Sequence, residues 1–486
     1  MPRKRPVDDE TGSEALKHLK IDDASPPDSD LSDASPPASD LSDTEPMEHI
    51  SDAFLDTVCR SNLDFDFEEQ CSVSLSTTNI YACLVCGKYF QGRGQQTHAY
   101  FHSINDNHHV FINLKTQRVY VLPDNYEVMD KSLNDIKDVI QPTFTAHDVT
   151  RLDEAGHAHD LMGRPYVVGC VGLNRVKRTS YINVIIQTLA HIRPIRNFLL
   201  TLNLDERPPL VRKLAMVVRR MWHARRFKAH ISPHECVQEI VGLSKGRFGL
   251  DEEADPFELL VWMLNTMHGM VRKKKTSVVY ETLRGEMQVA TQKVRDASHD
   301  MVDESTVTTM PFLALSLELP PTPLFTHTSN DDEDERADIP QVALTTLLQR
   351  YDGTTVETNG LVRHYTVTNL PSYIVCHVKR FAKHNMREKN PTVVNFPVCN
   401  VPFGELLHVR GAHSATYDLV ANVCHVGRQE KSAVDGAELE SEESPFVVYV
   451  RQGESSWFRV HDLRVEPVMP QMLFLSDSYI QVWQRN

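Results

Sequence analysis

Four residues within one short stretch, Cys83, Cys86, His102 and His108, constrain this chain more than any other feature. A Cys-x-x-Cys turn sets two thiolates on one metal ion, Gly87 relieves the backbone where it turns, and two imidazoles complete a tetrahedron. Mixed thiolate and imidazole ligation points to zinc. A closed four-ligand set leaves no open position, so the expected role is structural rather than catalytic. His98 competes with His102, because residues four apart share one face of a helix. Cys71 with His98 is the beginning of a second site for which four good ligands are not found. A small metal-organised module is therefore expected over residues 48–145.

The chain has 486 residues, enough for two or three domains, and 41% of them are hydrophobic. No run of 18 apolar residues suggests a membrane span, and the basic N-terminus lacks the apolar stretch of a signal peptide. Nine cysteines, an odd number, fit a reduced compartment. A formal charge of -15 argues against a protein that simply coats nucleic acid. Residues 1–47 read as a disordered acidic Ser/Pro-rich tail, in which Ala24–Asp33 is nearly repeated as Ala34–Asp43. Pro2–Arg5 is a short basic run of the kind that directs proteins to the nucleus.

A linker is expected over 146–164 and a large domain over 165–486. Helical spacing is expected over Tyr181–Leu200, with Pro194 ending or bending the helix, and over Leu210–Arg220 and Pro256–Met270. Tyr373–Val378, Tyr417–Val423, Phe446–Val450 and Tyr479–Trp483 read as strands. Helices first and antiparallel strands later give an α+β domain. Asp331–Glu335 reads as a solvated acidic loop.

Gly172-Leu173, then Thr179-Ser180-Tyr181-Ile182-Asn183, then Ile186-Gln187, resembles the start of the ubiquitin-specific protease domain, a papain-like α+β fold of the peptidase C19 type. That resemblance places Ser180 at the cysteine nucleophile, Arg178 at the oxyanion Asn and Lys177 at the Gly before it. Pro445, ahead of Phe446–Val450, stands at the general-base histidine; Asp462, in Trp457–Val465, keeps the orienting carboxylate. A cysteine protease needs thiolate, base and oxyanion donors together, so no catalytic residue is assigned. His425 and His461 are the remaining bases for a serine mechanism. Leu370–Phe381 resembles the family's core strand, and the two Cys-x-x-Cys pairs that clamp the finger subdomain in many relatives are absent, so any fingers must hold by packing.

The Cys/His segment resembles the ubiquitin-protease-type zinc finger through Tyr81–Phe90 and His98–His102. Some relatives use that finger to bind the ubiquitin C-terminus. Lys88 and Arg93 are cations near such a pocket, but its tryptophan is missing, which counts against ubiquitin binding. The strings Leu63–Glu68, Leu122–Glu127, Phe227–Glu235 and Pro470–Trp483 resemble the tri-snRNP-associated, snRNP-assembly-defective group of inactive homologues. That resemblance implies a nuclear, non-catalytic pre-mRNA splicing factor, a scaffold for tri-snRNP proteins. The alternative is a ubiquitin-binding adaptor without protease activity. Arg219-Arg220, Arg225-Arg226 and Arg272–Lys275 are basic patches that can meet snRNA or acidic subunits.

Overall fold

The computed structural model describes residues 54–66, 68–154, 156–293, 306–321, 340–354, 357–358, 361–382, 385–426, 445–453 and 455–486. The tail 1–47 with Pro2–Arg5, and the acidic run Asp331–Glu335, lie outside these residues.

The N-terminal module is a five-stranded antiparallel sheet. Its strands lie in the order Tyr89–Gln91, Ile80–Cys83, Val110–Asn113, Val119–Val121, Tyr126–Val128. The strands read as continuous apolar runs because both faces are covered. Strand side chains alternate, so Ile80, Ala82, Val110 and Ile112 pack with Leu133, Ile136 and Ile140 on one face. Tyr81, Cys83 and Phe111 point to the other, where they meet Phe90 and Ala99 around the Cys/His group. The helix His98–Asn105 covers that second face.

Residues 146–164, expected as a linker, carry structure of their own. Thr145 and Asp148 form a capping box that starts the helix Ala146–Arg151. The strand His157–His159 then pairs with Pro165–Val167. Val149 and Leu152 join the core of the large domain, which ties this segment to it.

The large domain begins with the helix Ser180–His191, every residue of which is buried. It is apolar over most of its surface, as a helix in the centre of a fold must be, with Asn183, Gln187 and Thr188 hydrogen-bonded inside, and it packs on the strand Phe446–Gln452. The single expected helix over Tyr181–Leu200 is two. Ile192 is extended with ψ 100°, and Pro194 sits in the first turn of Arg193–Thr201, where its missing N–H costs nothing. Pro209–Trp222 and Pro256–Val271 follow as expected.

A seven-stranded sheet closes the domain. Its order is Leu315–Glu318, Tyr373–Lys379, Ser478–Arg485, Tyr417–His425, Phe446–Gln452, Ser456–His461, Arg464–Val468. All neighbours are antiparallel except the first pair, which is parallel and departs from the expected pattern. A four-stranded sheet of Thr306–Phe312, Gly285–Lys293, Leu361–Asn369 and Glu357–Thr358 stands beside it. Phe312 and Val367 anchor that sheet in a core shared with Leu315, Ile374 and Trp483. Among the described residues no helix is long and apolar enough to cross a membrane.

Candidate metal centre and an emptied catalytic cleft

Cys83 ends a strand, Cys86 sits in the turn after it, His102 lies in the helix and His108 precedes the next strand. Their ligand atoms all lie within 4.8 Å of one another, so these four residues are able to hold one metal ion. Gly87 follows with φ +77°, and a Cβ there would lie 2.2 Å from the Asn62 carbonyl oxygen. Only glycine allows this turn. The Asp106 carboxylate lies 2.6 Å from His102 Nδ1, which leaves Nε2 facing Cys86 Sγ at 3.4 Å and His108 Nδ1 at 3.0 Å. A carboxylate behind a ligating imidazole is the arrangement that orients such ligands. Phe90 stacks on the His102 ring at 4.2 Å and keeps it in place. A hydrogen bond from Cys83 holds the Cys86 thiol well below its ordinary pKa, while the same bond and burial raise Cys83.

His98 opens the same helix one turn earlier and lies outside this group. Cys71 is fully buried, and its Sγ accepts from the Ser74 and Gln91 backbone N–H groups. Arg93 lies over the Tyr120 ring at 4.0 Å and is hydrogen-bonded to Asn125, while Lys88 is exposed.

The residues expected at the catalytic positions are placed by the structure as follows. Ser180 opens the central helix, is fully buried, and its Oγ has no hydrogen-bond partner. Neither His425 nor His461 is hydrogen-bonded to it. The His425 ring is held between Phe381 and Phe446, at 5.0 and 5.2 Å, and burial lowers its pKa to about 4. Pro445 is buried and its carbonyl accepts from the Val426 N–H at 2.7 Å, so a ring without a proton-transfer group occupies the start of that strand. Lys177 has φ +58°, the left-handed backbone that glycine favours, although the side chain is lysine. Its amine pairs with Asp251 at 2.6 Å on the surface. Arg178 is exposed and donates its backbone N–H to Leu250.

Asp462 also has a positive φ, +50°. Asn183 Nδ2, one turn below Ser180, donates to its carboxylate at 2.9 Å. The Asp462 carbonyl accepts from the Leu173 N–H at 2.9 Å. Gly172 permits that approach, because a Cβ there would lie 2.6 Å from the Leu463 carbonyl. The surviving carboxylate thus fastens the hairpin after Ser456–His461 to the start of the central helix.

Two of the three basic patches are not free surfaces. Arg219 is buried and donates to the Leu199 and Leu202 carbonyls. Arg220 pairs with Asp66 at 3.2 Å and donates to the Phe65 carbonyl. Arg225 pairs with Asp138 at 2.9 Å, and Lys228 with Asp64. Arg226 is buried over the Tyr166 ring at 3.8 Å. Asp66 also accepts from the Ser232 N–H, and Phe227 packs into the core of the N-terminal module. The expectation that this patch faces outward is corrected for Arg219 and Arg226, which are buried within the large domain, and for Arg220, which with the more exposed Arg225 pairs across to the module. Arg272–Lys275 remain exposed.

A family profile described as ubiquitin carboxyl-terminal hydrolase matches residues 171–483. A second, described as Zn-finger in ubiquitin-hydrolases and other protein, matches residues 71–133 and implies zinc binding by the module. The chain belongs to the ubiquitin carboxyl-terminal hydrolase family. It is 41% identical over 457 residues to the probable mRNA-splicing protein ubp10 of Schizosaccharomyces pombe, covering 89% of this chain and 88% of that one. It is 40% identical to human ubiquitin carboxyl-terminal hydrolase 39, over 89% of this chain and 80% of that one. The pre-mRNA-splicing factor SAD1 of Saccharomyces cerevisiae is 30% identical, over 89% and 93%. A crystal structure of an essential yeast splicing factor superposes with a TM-score of 0.72 at 28% identity, covering 89% of this chain and all of that one.

Proposed function

We propose that this chain is a nuclear, non-catalytic pre-mRNA splicing factor that acts as a scaffold in assembly or stabilisation of the tri-snRNP. The observation that carries the reading is the cleft. A buried Ser180 hydroxyl without a hydrogen-bonded base, with Pro445 at the base position and an exposed Arg178 at the oxyanion position, retains nothing that generates a nucleophile or stabilises an oxyanion. Two of the relatives matched over 89% of the chain are named for splicing, and a third is named a ubiquitin carboxyl-terminal hydrolase. A scaffold needs a rigid shape, and the Arg220–Asp66 and Arg225–Asp138 pairs supply one by fixing the module to the large domain.

Cys83, Cys86, His102 and His108 are assigned as ligands of one structural zinc ion, with Asp106 behind His102. The ion contributes folding free energy to the module and takes no part in chemistry. The domain reading is a tail over 1–47, a zinc finger over 48–145 and an inactive protease-like domain after it.

The test is affinity purification of the tagged chain from nuclear extract, with protein and small-RNA analysis of what accompanies it. Recovery of tri-snRNP proteins and their RNAs is the expected result. Recovery of ubiquitin conjugates without snRNPs overturns the scaffold reading in favour of a ubiquitin adaptor.

A further inference from the structure

Arg272–Lys275 are the one run of the three basic patches that the fold leaves exposed. They form a tight hairpin. Lys273 N–H donates to the Thr276 carbonyl at 2.9 Å, Thr276 N–H returns to Lys273 at 3.3 Å, and Lys274 takes φ +59°. The turn is held by its own backbone and by the Thr276 hydroxyl, which donates to the Glu281 carboxylate at 2.9 Å, so no lysine side chain is needed to close it. Among the described residues no ion pair involves any of these four cations, in a chain whose formal charge is -15.

The surroundings add to the turn. Lys275, Thr276, Tyr280, Arg284 and Asn369 line one groove of about 250 Å³ with Glu281 and Glu286. His268 stacks on Tyr280 face to face, with ring centroids 3.5 Å apart and planes at 5°, and both residues are half-buried. Arg284 lies 5.4 Å from the same Tyr280 ring. Arg272 and Arg284 follow the helices Pro256–Val271 and Val278–Leu283 directly, where cations complement helix C-termini. That role accounts for those two arginines and leaves Lys273, Lys274 and Lys275 without one. Five cations against two carboxylates leave the face positive. A groove that combines such cations with a half-buried ring at Tyr280 offers a base a stacking partner as well as a phosphate a charge, and an acidic peptide has use only for the charge.

We propose that the Arg272–Lys275 hairpin and the groove beside it bind the phosphate backbone of single-stranded RNA. The proposal rests on the splicing reading only for where RNA is met; binding itself is tested on the purified full-length chain. The probe is a fluorescently labelled 12-nucleotide oligouridylate, titrated at several salt concentrations. Binding is expected at roughly 10 µM near 50 mM salt, weakening as salt rises. K273E/K274E/K275E is expected to bind at least tenfold more weakly. Its log–log salt slope falls by about 2, at roughly 0.7 per lost phosphate contact. Tyr280→Ala is expected to weaken binding about fivefold with the slope unchanged. Circular dichroism and zinc content matching the parent chain show that the variants fold. No binding by the parent chain, or equal binding by the triple variant, overturns the proposal. A poly-glutamate peptide that binds as tightly as the RNA, with the same sensitivity to the triple variant, also overturns it and assigns the face to an acidic protein. Failure here leaves tri-snRNP recovery untouched, so the two readings fail separately.

Discussion

The Cys/His group and the cleft at Ser180 follow the same family pattern to opposite ends. The module keeps four candidate ligands within 4.8 Å of one another and a carboxylate behind one of them. On the proposed reading, the cleft keeps the carboxylate of Asp462 and holds Ser180 and Pro445 where its nucleophile and base would stand. The difference follows from what each group does for folding. A structural metal ion is part of the folding free energy, so no ligand can be lost without the module. Catalytic groups act on the transition state, and a fold does not need them. What the fold does need from the cleft has stayed: the close approach at Gly172, the Asn183–Asp462 bond and the left-handed backbone at Lys177.

The largest expected effect tests the metal side. Cys83→Ser or prolonged chelation removes a contribution on the order of 10 kcal/mol. Bound zinc should fall from one equivalent to near zero, and residues of the module should become open to proteolysis. A module that stays resistant without zinc breaks the comparison at its stronger end.

Next comes pH, read on three buried histidines of the large domain. Burial lowers His377 to about 3, and His191 and His425 to about 4. The unfolded chain binds protons at about 6.5 that these folded sites refuse. Stability is therefore full above about 6.5 and is lost as pH falls toward the folded values. Denaturant unfolding at pH 5 should cost about 1–2 kcal/mol per histidine relative to pH 7. His377→Phe, whose ring can still stack on Phe257, should remove its share of that loss.

The clamp is smaller. Asp66→Ala strands Arg220, and a loss of about 2–3 kcal/mol is expected for this mostly buried pair. A double-mutant cycle with Arg220→Ala should return much of it. The smallest effect is at Ser180. Ser180→Ala removes a buried hydroxyl that has no partner, so stability should stay within about 1 kcal/mol of the parent chain, on the stabilising side. A loss of more than that would show that the hydroxyl has a use the cleft does not reveal.

Much of this was legible in the sequence because it was local. The Cys-x-x-Cys turn, the apolar period of the central helix and the β-branched runs at Tyr373, Tyr417 and Phe446 are all readable within a dozen residues. The break at Ile192 was readable as Pro194, two residues late. What escaped was the pairing of distant segments. Arg220 and Arg225 look like a surface patch until Asp66 and Asp138, far upstream, are seen against them. The string Leu63–Glu68 marked the family but gave no sign that its carboxylates face the large domain. The parallel strand Leu315–Glu318 and the sheet around Gly285–Lys293 were missed for the same reason, since strand partners are not written beside them.

The clamp has a consequence for how such a protein is recognised. With the two folded parts fixed to each other, a partner that touches both meets two contact points at a set spacing. Once the first contact forms, the second is an intramolecular event at high effective concentration. The entropy of holding the two points in register was lost when the chain folded, not when the partner arrives. Two weak faces, each too small to hold a partner alone, then act as one strong one, and loosening the Asp66–Arg220 pair should weaken assembly without altering either face.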